Sequence, residues 1–297
     1  SLLGGLAVNS VATAAANRLL RERAGPLVQP VAGTQETYRW RGFDVEYTVA
    51  GEGPDLLVLH GLHAAATAQE FDRVIERLAG EYRVVAPDLP GFGRSDRPPV
   101  EYSAALYEAF VAEFAADVTE DAVCIASSLS GAYAAAAAEE AGFSQLVLVC
   151  PTADTGPGSP ALRTLLRAPL VGEALFNLLV SRPSLLYFDR REAYVGGPDD
   201  ATLDYQYRTA HQPGARFAPA AFIGGDLDPD TDLGGAIAGL DIPVTLVWGR
   251  EADRPPLAVG RALAERADAR LVVVEGARLL PHAEHPDAFL DGLELRK

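Results

Sequence analysis

The chain has 297 residues, with 41 acidic and 25 basic side chains for a net charge of −16. A field of that sign repels phosphate backbones and anionic headgroups, which excludes nucleic-acid binding and a polybasic membrane grip. A hydrophobic content of 48% with 22% charged residues suits a soluble globular chain with a sizeable core, and no run of roughly 20 apolar residues offers a membrane span.

Residues 1–25 predict a helix with a loose apolar face of Leu2, Leu3, Leu6, Val11, Ala14, Ala15, Leu19 and Leu20, stopped by Gly25-Pro26. No cationic segment precedes it and Asn9 and Asn17 interrupt it, so it is expected to pack or lie on the surface rather than serve as a signal peptide. Thr37 to Ala50 predicts two strands around Gly42, and apolar runs at Leu56 to Leu59, Tyr82 to Ala86 and Ala122 to Ala126 follow. Helical spacing fills the gaps at Phe71, Val74, Ile75 and Leu78, and at Leu106, Ala109, Phe110 and Val111. An Ala-rich helix from Gly131 to Ala141 leads to a further strand, Leu146 to Cys150. Alternation of this kind belongs to a parallel sheet covered on both faces.

Between Pro151 and Leu240 the alternation stops, and Pro and Gly punctuate helical segments, the first opened by Ser159-Pro160. Six aromatics fall there, Phe176, Tyr187, Phe188, Tyr194, Tyr205 and Tyr207, either lining an apolar pocket or packing a small helical layer. Asp226, Asp228, Asp230 and Asp232 lack the Gly and terminal Glu of a calcium loop and read as a solvated linker. Strands and helices resume with Val244 to Trp248, Pro256 to Arg266, Leu271 to Val274 and a last helix from Pro286.

Sites in open α/β sheets form at the carboxyl ends of strands. Three such ends stand out here: Leu59-His60-Gly61-Leu62, Asp88-Leu89-Pro90-Gly91-Phe92-Gly93-Arg94-Ser95-Asp96, and Ala126-Ser127-Ser128-Leu129-Ser130-Gly131. The last is a small-x-Ser-x-small turn running into a helix, which lifts the serine above the sheet. With Trp248-Gly249 closing a late strand and Gly276-Ala277 leading to Leu280-Pro281-His282 and Glu284-His285-Pro286, these motifs resemble, in order, those of the α/β-hydrolase superfamily, among its capped esterase, lipase and haloperoxidase-like members. The resemblance covers about residue 36 to the C-terminus. It implies an eight-stranded, mostly parallel sheet flanked by helices, with a helical cap inserted after the sixth strand. The division is then an N-terminal helix at 1–25, a core at 36–154 and 240–297, and a cap at 155–239.

Carried over by position, Ser128 matches the nucleophile, and the backbone N–H groups of Leu62 and Leu129 match the oxyanion hole. Ala126 and Ser130 replace the usual elbow glycines, and Ser130 crowds the turn. The acid falls on Asp253, one residue late in its loop, or on Asp154 after the preceding strand. Leu279 stands where the family has its catalytic His, and Leu accepts no proton. A base must then come from His282, one helical turn beyond, or from His63 or His211, while His60 reads as a buttress of the oxyanion turn.

The resemblance therefore implies either a serine hydrolase on a small to medium apolar acyl substrate with an unconventional base, or a member of the fold that binds a ligand or partner without catalysis. No cofactor or metal is called for. The ligand is a small apolar molecule. Cys124 and Cys150 both lie in apolar runs and read as buried thiols, in keeping with a cytoplasmic protein. Lys297 is the only lysine, and scarce Lys with abundant carboxylate resembles the composition of halophilic proteins that stay solvated in concentrated salt.

Overall fold

A computed structural model describes the backbone of residues 2–297 and the side chains from Ser10 onward. The N-terminal helix α1 (Leu2–Ala24) is followed by β1 (Thr34–Trp40), β2 (Phe43–Ala50), β3 (Asp55–Leu59), α2 (Asp72–Leu78), β4 (Arg83–Pro87), α3 (Ala104–Val118), β5 (Val123–Ser127), α4 (Leu129–Ala141) and β6 (Gln145–Val149). Helices α5 (Pro160–Arg167), α6 (Val171–Leu179), α7 (Arg182–Phe188), α8 (Asp200–Ala210), α9 (Phe217–Gly224) and α10 (Leu233–Ala238) come next. The chain ends with β7 (Val244–Gly249), α11 (Leu257–Ala267), β8 (Arg270–Val274), α12 (Pro281–Glu284) and α13 (Pro286–Asp291).

The strands form one eight-stranded sheet in the order β1-β2-β4-β3-β5-β6-β7-β8. The β1–β2 and β2–β4 pairs are antiparallel, and every later pair is parallel. The central strands are buried along their whole length, as the continuous apolar runs require of a sheet covered on both faces. One face packs Phe110, Phe114, Tyr107 and Tyr133 of α3 and α4, and the other packs Phe71 just before α2, Val74 and Ile75 of α2 and Phe289 of α13. The fold is thus the expected α/β sheet, with a helical insertion between β6 and β7.

Glycines at two motifs have direct physical causes. A Cβ on Gly93 would lie 2.1 Å from the Asp88 carboxylate carbon, and one on Gly249 would lie 1.9 Å from the Arg278 carbonyl oxygen. Close approach fixes glycine at both, and at Gly93 a φ of +50° adds to the requirement.

Helix α1 lies along the surface with part of its apolar face outward. Leu2, Leu3 and Leu6 fall among side chains outside the described ones, while Val11 and Leu19 are exposed. The helix instead buries Asn17, whose Nδ2 donates to Leu170 O at 3.1 Å and whose Oδ1 accepts from Asn177 Nδ2 at 3.1 Å. Arg21 pairs with Glu173, and Gln212 Nε2 donates to Gly25 O at 2.8 Å. Polar contacts thus strap α1 to the insertion. Elsewhere in the insertion Phe176, Tyr194 and Tyr205 are buried whereas Tyr187 and Phe188 are exposed. Asp226 pairs with Arg163, Asp228 accepts from Thr155 and Asp232 pairs with Arg266, so these carboxylates face separate partners. Among the described residues no helix is long and apolar enough to cross a membrane, and both cysteines are free and buried.

Candidate active site

Ser128 joins β5 to α4 with φ 55° and ψ −126°, a conformation costly for a non-glycine residue. Its amide donates to Val149 O at 2.9 Å, which anchors the elbow to the neighbouring strand. The residue is half-buried, and Oγ has no hydrogen-bond partner among the described residues. Leu129 N–H, the first of α4, is likewise free, as helix N-termini leave it.

The turn after β3 lies directly beside it. A Cβ built on Gly61 would stand 3.3 Å from Ser128 Cβ, 3.4 Å from Ser127 Oγ and 3.6 Å from Glu70 Oε2, so a side chain there would press on the elbow serine. Ser130 Oγ donates to His60 O at 2.6 Å. The serine expected to crowd the elbow therefore ties it to the oxyanion turn. His60 is fully buried; its Nε2 accepts from Leu89 N–H at 3.0 Å, which leaves the proton on Nδ1 to donate to Gly61 O at 2.7 Å. His60 is the buttress the sequence suggested.

Glu70 was not singled out by sequence. It sits on a single 3₁₀ turn, Ala68–Phe71, where one acidic residue carries no periodic signal. Its side chain is 6% exposed; Oε2 accepts from Gly61 N–H at 3.0 Å and Oε1 lies 3.3 Å from His282 Nε2. Burial alone raises the Glu70 carboxyl, but the adjacent His282, with smaller contributions from His60 and His63, brings it below its ordinary value. His282 itself is fully buried on α12 and stacks on Phe71 at 4.5 Å.

The other candidates make their contacts elsewhere. His63 is half-buried, accepts from Ala65 N–H at 3.3 Å, and is lowered to about 4 by burial, which leaves a neutral and weakly basic imidazole. His211 is buried within the insertion, its Nδ1 2.7 Å from Tyr207 O. The Asp253 side chain is 75% exposed and pairs with Arg278 at 2.7 Å. Asp154 is exposed and accepts from Gly156 N–H at 2.7 Å. Leu279 packs with Cys150, Trp248 and Ala252. Among the described residues no imidazole hydrogen-bonds Ser128 Oγ. A cavity of about 310 Å³ opens between Glu70, Arg73 and the insertion segment around Tyr194 and Asp199, and Ser128 does not line it.

The Alpha/beta hydrolase family profile matches residues 56–291. The chain belongs to the α/β-hydrolase family. It is similar to the pimeloyl-[acyl-carrier protein] methyl ester esterase of Aeromonas hydrophila, 29% identical over 256 residues, covering 82% of this chain and 95% of that one. Similarity to the 2-hydroxy-6-oxononadienedioate/2-hydroxy-6-oxononatrienedioate hydrolase of Cupriavidus pinatubonensis is 27% identity, covering 87% and 93% of the two chains. Among solved structures, a serine hydrolase involved in carbazole degradation superposes with a TM-score of 0.72 at 20% identity, covering 88% of this chain and 96% of that one, which bears on the fold. This α/β-hydrolase thus has hydrolases among its relatives.

Proposed function

We propose that this α/β-hydrolase receives a small to medium apolar acyl or ketone carbonyl at Ser128, as an impaired serine hydrolase whose oxyanion donors are Leu62 and Leu129 N–H and whose serine has no imidazole base. The helical insertion, residues 155–239, serves as cap over a core of 36–154 and 240–297. The observation that carries the reading is a strained, half-buried elbow serine with no imidazole partner among the described residues, while Leu279, which the resemblance puts in place of the base, packs against Cys150, Trp248 and Ala252. The relatives support a carbonyl as the group received, since one is named for a methyl ester and another for an oxo diacid. Asp253 and Asp154 then have no imidazole to orient, and His63, His211 and His282 are held by other partners.

Removing the base from a serine triad leaves roughly 10³-fold rate enhancement over water from binding and the oxyanion hole, and removing the serine as well costs little more. With p-nitrophenyl butyrate, turnover is therefore expected at about that residual level, with Ser128→Ala within about threefold of the parent. Leu279→His is expected to raise kcat by about 10²-fold or more and to make it depend on Ser128. A p-nitrophenol burst in the unmodified protein that Ser128→Ala abolishes would sink the impaired reading and favour a hydrolase with a different base.

A further inference from the structure

We infer that Glu70 and His282 form the clamp that aims Leu62 N–H at Ser128, with Glu70 a positioning residue of the oxyanion turn and His282 the group that holds Glu70. The inference rests on reading Ser128 as the point where a ligand carbonyl is received.

Two peptide units make up the turn, His60–Gly61 and Gly61–Leu62, and together they carry four polar groups. Three are taken. His60 O accepts from Ser130 Oγ at 2.6 Å, Gly61 N–H donates to Glu70 Oε2 at 3.0 Å, and Gly61 O accepts from His60 Nδ1 at 2.7 Å. In a planar trans peptide the N–H points opposite to the C=O. Fixing Gly61 O on His60 therefore fixes the direction of Leu62 N–H, the one group of the four without a protein acceptor among the described residues. The first peptide is pinned at both ends, by Ser130 from the elbow helix and by Glu70 from the 3₁₀ turn.

Glu70 is the member of this set with the longest reach across the fold. Its second oxygen meets His282 at 3.3 Å, and that ring is wedged between Phe71 at 4.5 Å and Phe289 at 5.6 Å. Helix α12 is in turn fastened by Glu284, whose carboxylate accepts from Arg278 N–H and Val195 N–H, each at 2.7 Å. The segment carrying Leu279 is thereby linked to the oxyanion turn through His282 and Glu70. A side chain that only filled space between α2 and α12 would not need its carboxylate aimed at the Gly61 amide.

The test uses a p-nitrophenyl alkylphosphonate, which forms a tetrahedral adduct on Ser128, with Ki and kinact measured separately. Displacing one oxyanion donor costs on the order of 10²-fold in such steps, so Glu70→Ala is expected to lower kinact at least about 10-fold with Ki unchanged. Glu70→Gln keeps an acceptor of the same shape and is expected to retain the parental kinact. Equal kinact in Glu70→Ala and the parent overturns the inference, as does a loss in Ki alone, which marks a collapsed pocket. Should Glu70→Ala not fold, the Gly61 amide proton decides: it is expected downfield in the parent and displaced in Glu70→Gln, and indifference to that substitution overturns the clamp. Failure of the parent to label at Ser128 at all counts against the proposed function, and the Gly61 amide still decides the clamp separately.

Discussion

Asp189 is 8% exposed within the insertion, and its Oδ2 has no hydrogen-bond partner, as is true of Gln206 Oε1 and Thr209 Oγ1 on α8. Burial raises the carboxyl to about 7, only partly offset by Gln206 Nε2 at 3.5 Å. The native state then holds this proton over a range in which the unfolded chain has released it. The consequence is a stability that falls as pH rises from about 4 to about 7 and is level above, worth on the order of 4 kcal/mol. Asp189→Asn removes that dependence. Its Tm is expected to exceed the parental value at pH 8 and to match it near pH 3.5, measured by thermal denaturation across pH; equal Tm at both would show that Asp189 is solvated in solution.

At the scale of elements, the end of β7 shows why a two-residue motif persists in a strand. Gly249 lies against the backbone of residues 277–278, and Trp248, fully buried, rests on the bare face of Gly260, where a Cβ would come within 2.6 Å of the ring. Gly249→Ala sets a methyl against backbone oxygen at 1.9 Å, and such overpacking is expected to cost about 3 kcal/mol, read from urea denaturation midpoints. An unchanged midpoint would mean that the 277–278 segment gives way freely. Most elements were legible in the sequence to within a residue or two, because buried parallel strands are apolar without interruption and their ends carry Gly, Pro or Ser. The start of β1 at Thr34 was not, since Thr34 to Thr37 are exposed and polar, and α12 is only four residues long with Pro at its first position. Of the candidate site, the elbow at Ser128 and the turn at Gly61 were legible because they depend on chain order. Glu70 and the bond from Ser130 to His60 were not, because each depends on contacts between segments far apart in the chain.

For the whole molecule the net charge of −16 sets the response to salt. Ion pairs such as Arg18–Glu22 and Arg266–Asp232 are exposed on both sides, and pairs of that kind contribute roughly 0–1 kcal/mol each. Screening weakens them but also relieves the repulsion of the excess carboxylates, and the uncompensated charge dominates. Tm is therefore expected to rise between 0.05 and about 1 M KCl, where the Debye length falls to about 3 Å. A fall would place the ion pairs above the repulsion.

The strapping of α1 onto α6 and α8 has a mechanical consequence. An insertion joined to its core by the two strands of chain that enter and leave it can swing about the line between them. Here the segment of residues 25–33 makes a third crossing, held on the insertion side by Asn17, Arg21 and Gly25 and on the core side by β1. Three anchor points define a plane rather than an axis. The insertion is thus a platform fixed at three points, and on the proposed reading of Ser128 as the ligand site, entry falls to its loops rather than to a swing of the whole.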